Sequence, residues 1–234
     1  RGTYNSMWAG HVLMALAPDD EKILAIVRQG LKGEAHGPLG MLTAGPFQIL
    51  PCMLLYCRWE KQLPAAARQL IKQFMPRSML ERGNTENHWL MYYTGNLLAA
   101  ERWPDEEVAW NGLPMESLRR EARRWILGTI ERTARLGHHE YDSTGYHIEH
   151  MAALIGLRQY SRDAHLREQV EKVLTLLVAD MALEYFYGAW AGGHSREGYR
   201  QNTWTRIGAI QSLQYLYFGG EDFDPECHLH GFAI

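Results

Sequence analysis

The chain has 234 residues, of which 46% are hydrophobic and 22% are charged. This composition is close to the globular average, which excludes an intrinsically disordered protein and predicts a core that folds without disulfides or structural metals. Twenty-four Lys and Arg against 27 Asp and Glu give a formal net charge of -3 at pH 7, which argues against a basic nucleic-acid binder. The longest apolar runs fall far short of the roughly 20 residues of a membrane-spanning helix. We therefore expect a single domain over residues 1–234, with neither nucleic acid nor membrane as a partner.

The cysteines and the first residue bear on the cellular setting. Cys52, Cys57 and Cys227 lack the spacing of a zinc ribbon or of a disulfide framework. The sequence starts at Arg1 rather than Met and shows no charged-then-apolar leader. We expect either that a signal peptide has been removed or that the sequence is a fragment of a longer chain.

The hydrophobic pattern is helical along the chain. From residue 116 to residue 136, apolar residues such as Leu118, Ala122 and Trp125 recur at helical spacing, and arginines occupy the other face. Seven further helices are predicted at residues 19–31, 47–60, 64–75, 87–101, 146–161, 164–187 and 203–218. No window combines the alternation and the β-branched residues of a strand. The pattern predicts an all-α fold.

The connections between these helices alternate in character. Eight helices pair into four antiparallel hairpins, and every second connection is long and contains Gly or His. These long connections are residues 32–46, 76–86, 137–145 and 188–202. Because every second connection of an antiparallel assembly lies at the same end, we expect the four loops to share one face. The loose recurrence of about 40–60 residues is typical of repeated helical hairpins.

The second long loop leads into a helix through the sequence GNTENHW, residues 83–89. Asn84 or Thr85 is suited to cap this helix, with Glu86 in its first turn. Capping leaves Asn87 and His88 unexplained. A polar pair at a helix N-terminus, where backbone N–H groups favour anions, indicates a pocket for a carboxylate.

The third long loop, GHHEYDSTGYH at residues 137–147, is the stretch richest in reactive side chains. Asp142 or Ser143 can cap the helix that begins near Tyr146. The remaining candidates for chemistry are His138, His139, Glu140, Tyr141, Tyr146 and His147. A zinc site made of His147 and His150 with His138 or Glu140 is conceivable, but the spacing matches no zinc signature, so we expect no metal.

The fourth long loop, GGHSREGYR at residues 192–200, offers two arginines beside flexible glycines. Arg196 and Arg200 are suited to grip a carboxylate or sulfate with two hydrogen bonds each. His194 and Tyr199 lie in the same stretch, and Trp190 precedes it.

Two of these motifs resemble a known family. The stretch from Gly83 to Trp89, with Asn87 and His88, resembles the Asn-His motif of the α/α-toroid polysaccharide lyases, such as alginate lyases and heparinase II/III-like enzymes. The pattern Glu140-x-Asp142-Ser143-x-x-Tyr146-His147 is similar to the stretch that carries their catalytic tyrosine. The resemblance covers residues 83–200, about half the chain, and the four predicted hairpins are fewer than the family commonly has. It implies an incomplete α/α toroid that cleaves a uronic-acid polysaccharide by β-elimination without a cofactor, in a secreted or periplasmic protein.

The resemblance also implies roles for individual residues. Asn87, helped by Arg196 or Arg200, would neutralise the substrate carboxylate, and His88 and Tyr146 would supply the base and the acid. We expect these catalytic side chains to converge on one cleft. The expected substrate-binding residues are Glu86, Trp89, His139, Glu140, His147, Trp190, His194, Tyr199 and Arg200.

Two other functions fit the same residues. A glycoside hydrolase on this architecture would use Glu86 with Glu140 or Asp142 as its acid and base. A non-catalytic glycan-binding protein would keep the aromatic side chains without a competent base. The reaction products separate the three, because a lyase alone leaves an unsaturated uronate that absorbs in the ultraviolet.

Overall fold

The computed structural model of the protein describes residues 3–31, 43–77, 79–108, 111–186, 189–190, 195 and 208–219. Within these ranges the chain forms nine helices, and the prediction of an all-α fold is confirmed for them. The helices are α1 (Thr3–Leu16), α2 (Asp20–Gly30), α3 (Pro46–Trp59), α4 (Ala65–Arg77), α5 (Glu86–Arg102), α6 (Met115–Leu136), α7 (His147–Tyr160), α8 (Ala164–Glu184) and α9 (Gln211–Phe218).

Extended structure in the described ranges is limited to two pairs of two-residue strands. Strand β1 (Thr43–Ala44) pairs in parallel with β2 (Met79–Leu80). Strand β3 (Tyr185–Phe186) pairs antiparallel with β4 (Ala189–Trp190). None of the helices described has the length and apolar character that crossing a membrane requires.

The chain divides into two compact units. The first unit comprises residues 1–126 with residues 160–162, and the second comprises residues 127–159 and 163–234. Helices α1 to α5 belong to the first unit, and α8 and α9 belong to the second.

The core of the first unit is built on α3 and α5. Helix α3 starts with Pro46 at its first position, where a backbone N–H would have no acceptor within the helix, so proline is well tolerated. The following turns of α3 are almost entirely buried. It packs closely on α5, and α1 packs on both α2 and α3. A Cβ atom at Gly95 of α5 would lie 2.3 Å from Cγ2 of Ile49 on α3. The close approach of these two helices therefore depends on the missing side chain at Gly95.

The C-terminal end of α5 is held by a buried carboxylate. Glu101, which is 8% exposed, accepts hydrogen bonds from Ser161 Oγ and from the backbone N–H of Arg162, both at 2.8 Å. The Arg162 guanidinium donates in return to the Glu101 carbonyl at 2.7 Å. These bonds attach residues 160–162 to the first unit.

Helix α8 of the second unit has a side-chain N-cap and buries the apolar face that its sequence pattern predicts. Its N-cap, Asp163, accepts a hydrogen bond from the Leu166 backbone N–H at 3.0 Å. One stripe of side chains at helical spacing is buried, and consists of Leu166, Val170, Val173, Leu177 and Met181. The helix ends at Glu184, before the predicted residue 187, because Tyr185 turns into strand β3.

Two features of the helical pattern differ from the prediction. Helix α1 was not predicted, because its apolar residues lie on both faces: Met7 and Met14 are buried, whereas Val12 and Leu16 are exposed. The last helix begins at Gln211, and residues 208–210 are not helical although the prediction included them. The Ile210 N–H donates instead to the Thr144 carbonyl at 3.2 Å, and Gly208 lies against the same residue.

The four long loops are described unevenly. Residues 32–42, 78, 188, 191–194 and 196–202 lie outside the described residues. That the four loops share one face stays a prediction.

Candidate functional site

The predicted Asn-His pair lies in the first turn of α5. Thr85 is the N-cap of this helix, as predicted, but its hydroxyl does not bond a backbone N–H. It donates instead to the Asn87 side-chain oxygen. Asn87 is completely buried, whereas Glu86 and His88 are half-buried. Thr85 therefore fixes the orientation of the Asn87 amide at the start of α5.

The His88 imidazole is positioned by an aromatic ring and a glycine. It packs edge to face on Phe47, with ring centroids 4.8 Å apart. On another side it meets Gly83, whose φ of +77° is in the left-handed region. A Cβ atom there would be 2.6 Å from His88 Nδ1, so both backbone conformation and space require glycine. The ring is held against backbone, which restricts its orientation.

An ordered arginine that the sequence analysis missed precedes this glycine. The Arg82 guanidinium carbon lies 4.3 Å from the centroid of a Trp89 ring, and Arg82 Nη1 donates to Tyr93 Oη at 3.4 Å. Trp89 Nε1 donates to the Gly83 carbonyl at 2.9 Å, and Tyr93 Oη donates to Glu121 at 2.9 Å. Its position one residue before the Gly83 motif was the only sequence signal.

Further aromatic rings support this arrangement. Tyr93 stacks on Trp125 with centroids 4.6 Å apart, and Trp89 meets Trp125 edge to face at 6.3 Å. Tyr93 is buried, and desolvation raises the pKa of its hydroxyl. The phenol therefore stays protonated and keeps its hydrogen bond to Glu121.

In the second unit, the other predicted motif leads into α7. Ser143 Oγ accepts a hydrogen bond from the Tyr146 backbone N–H at 3.2 Å, which confirms the predicted capping role of Ser143. Asp142 has a φ of +52°, an uncommon conformation for a residue with a side chain. Tyr146 is half-buried and lies directly before the first residue of α7, His147.

Three imidazoles pack together beneath this loop. The ring centroid of His138 lies 4.4 Å from that of His150 and 5.1 Å from that of His147. Burial lowers the pKa of His138 to about 4 and holds those of His147 and His150 well below their usual value. All three are neutral at neutral pH. No group of three or more His, Cys, Asp or Glu in the described ranges has an arrangement that could hold a metal ion.

A buried acid lies in the same loop. Asp142 is completely buried, and burial, together with a hydrogen bond to Glu184, raises its pKa to about 8. A raised pKa of this size keeps the Asp142 carboxyl group largely protonated at neutral pH. The neighbouring Tyr141 hydroxyl donates to Asp180. These contacts join the loop to the C-terminal half of α8.

The remaining predicted site residues are placed as follows. His139 is exposed, whereas Glu140 and His147 are buried, at 6% and 1% exposed. Trp190 lies in strand β4. Outside the described residues are His194, Arg196, Tyr199 and Arg200. The substrate contacts assigned to all of these residues stay predictions.

Comparison with known proteins gave no match. No family model matches the chain, and neither a curated protein nor a solved structure matches it. The function must therefore be argued from the residues themselves.

Proposed function

We propose that the protein is a polysaccharide lyase that cleaves a uronic-acid-containing polysaccharide by β-elimination, on an incomplete α/α toroid of helical hairpins. The observation that carries the proposal is the environment of His88. Its half-buried ring is held by Phe47 and by the close approach of Gly83, next to a buried Asn87 amide. A base must be fixed in orientation to remove a carbon-bound proton, and this ring is fixed.

The reaction requires three groups. The proton on C5 of a uronate is acidic enough to remove only when the adjacent carboxylate is neutralised, and the family resemblance gives this part to Asn87 together with an arginine. His88 takes the C5 proton. The electron pair of the C5–H bond then forms the C4–C5 double bond as the C4–oxygen bond breaks. Tyr146 donates its proton to the leaving glycosidic oxygen.

One observation favours the hydrolase as a second candidate. The pKa of Asp142 is raised to about 8, so its carboxyl group stays protonated at neutral pH, as a general acid for glycoside hydrolysis must. Asp142 is, however, completely buried, whereas His88 and Tyr146, which the lyase would use, are half-buried. An acid without solvent access is poorly placed to reach a glycosidic oxygen, which puts the lyase first.

The deciding experiment uses purified protein and a panel of alginate, polygalacturonate and hyaluronan. A lyase produces ultraviolet-absorbing unsaturated ends, and Tyr146→Phe should lower that rate by about 10²–10⁴-fold with an unchanged melting temperature. New reducing ends without absorbance, lost in Asp142→Asn, would instead establish the hydrolase. Binding without any product would establish a glycan-binding protein. A fully active Tyr146→Phe variant would contradict the mechanism.

The role of His88 is tested through its glycine neighbour. Gly83→Ala would force a Cβ atom against the imidazole, whereas Gly112→Ala has the same type of backbone, with φ of +65°, and nothing within 4 Å. Both variants should lose about 1–2 kcal/mol of stability from backbone strain. Only Gly83→Ala should also lose turnover at a temperature where both are folded. Equal turnover in the two variants would contradict the proposal that His88 must be held in place to act as the base.

A further inference from the structure

Arg82 carries a positive charge that the described residues leave without a partner carboxylate. Its side chain is exposed, and its recorded contacts are the ring of Trp89 and the hydroxyl of Tyr93. Within the described ranges no Asp or Glu forms a salt bridge with it. Glu121, the acid that ends this chain of contacts, accepts its hydrogen bond from Tyr93.

Two contacts nevertheless hold the guanidinium. A free arginine side chain loses conformational entropy when it is held in one place. Here stacking on Trp89 and the bond to Tyr93 have already fixed the plane of the fork. A guanidinium has five N–H donors, and Arg82 uses one of them in a described hydrogen bond. The rest are available to an anion at low additional entropic cost.

The position of Arg82 places this charge in the same loop as the predicted catalytic pair. The next residue, Gly83, approaches the His88 ring, and its carbonyl accepts the Trp89 indole N–H at 2.9 Å. Trp89, which carries the guanidinium on its face, directly follows His88 in α5. The backbone of Gly83 therefore lies against the imidazole and is hydrogen-bonded to the indole on which the guanidinium stacks.

We propose that Arg82 is the residue that binds the substrate carboxylate, by a two-point hydrogen bond from its guanidinium. The assignment rests on the proposed lyase function and gives Arg82 the part that the family resemblance gave to Arg196 or Arg200. It makes the first unit selective for acidic sugars, because a neutral sugar offers nothing to the guanidinium fork.

The test measures binding and turnover separately. Oligosaccharides of alginate, polygalacturonate and hyaluronan serve as probes, each paired with a counterpart whose carboxylates have been reduced to alcohols. Binding is measured by calorimetry, and turnover by ultraviolet absorbance. The variants are Arg82→Gln, Arg82→Lys and, as a control, Arg77→Gln, an exposed arginine of α4 in the same unit.

Arg82→Gln should weaken binding of the preferred uronate oligosaccharide by about 10–100-fold and raise KM similarly, with a smaller change in kcat. Arg82→Lys should be intermediate, because an ammonium keeps the charge but not the two-point geometry. Arg77→Gln should match wild type, and the reduced oligosaccharides should bind weakly to every form.

The outcomes separate this proposal from the lyase itself. Wild-type affinity and KM in Arg82→Gln would overturn the assignment of Arg82, even if unsaturated product is formed. Failure of the wild type to bind any of the uronate oligosaccharides would overturn it too. Binding that depends on Arg82 without any unsaturated product would uphold the carboxylate site and overturn the lyase.

Discussion

The buried imidazoles of the second unit should make the stability of the protein depend on pH. His138 is 7% exposed and stacks on His150 at 4.4 Å. Burial, and to a lesser extent the charge of His139, lowers its pKa from 6.5 to about 4. The folded protein therefore resists protonation of a group that the unfolded chain protonates readily.

The sign and size of the effect follow from proton linkage. Below the unfolded pKa of 6.5 the unfolded state binds more protons, so the free energy of unfolding falls as the pH falls from there toward about 4. When the pH falls from about 7.5 to about 5.5, one histidine with these two pKa values lowers the free energy of unfolding by about 1.4 kcal/mol. His147 and His150 act in the same direction, since burial also lowers their pKa values.

The variant His138→Phe keeps a ring in the stack and removes one titrating group. Urea unfolding at the two pH values should show that wild type loses about 1.4 kcal/mol more than His138→Phe on acidification. The control is His165→Phe, since His165 is exposed on α8 of the same unit, and it should keep the wild-type pH dependence. The reasoning would be refuted if the free energy of unfolding of His138→Phe fell on acidification by as much as that of wild type, or by more.

Two further predictions concern the helices. Gly95→Ala should destabilise the protein by about 1–3 kcal/mol, because its Cβ atom would overlap Ile49 of α3. The control Gly128→Ala on α6, with open space around its Cβ atom, should stabilise the protein by about 0.5–1 kcal/mol. Urea unfolding in which Gly95→Ala is as stable as wild type would contradict the packing argument. Glu101→Gln should cost about 1–3 kcal/mol in the same assay, because a buried serine hydroxyl and the Arg162 N–H lose a charged acceptor. Glu168→Gln, in an exposed pair that solvent screens, should cost much less. Equal losses in the two glutamine variants would show that burial of Glu101 contributes nothing.

The sequence by itself determined the features that depend on neighbours along the chain. The spacing of Leu166, Val170 and Val173 gave the buried face of α8, because helical periodicity is a local property. The sequence offered Asp142 or Ser143 as a cap ahead of α7, and the Tyr146 N–H donates to Ser143. The position of Asn87 and His88 at the start of a helix was equally readable, as the first turn of α5 confirms.

Tertiary structure decided which of these residues meet others far along the chain. Helix α1 buries Met7 and Met14 but also exposes the apolar Val12 and Leu16, so the sequence shows no apolar stripe, and packing alone decides which face is buried. The contact of His88 with Phe47, and the effect of Glu184 on the pKa of Asp142, join residues about 40 positions apart. Periodicity and capping report the local conformation of the backbone only. Such contacts arise from the packing of whole helices, which is why the surroundings of His88 and the raised pKa of Asp142 were not visible in the sequence.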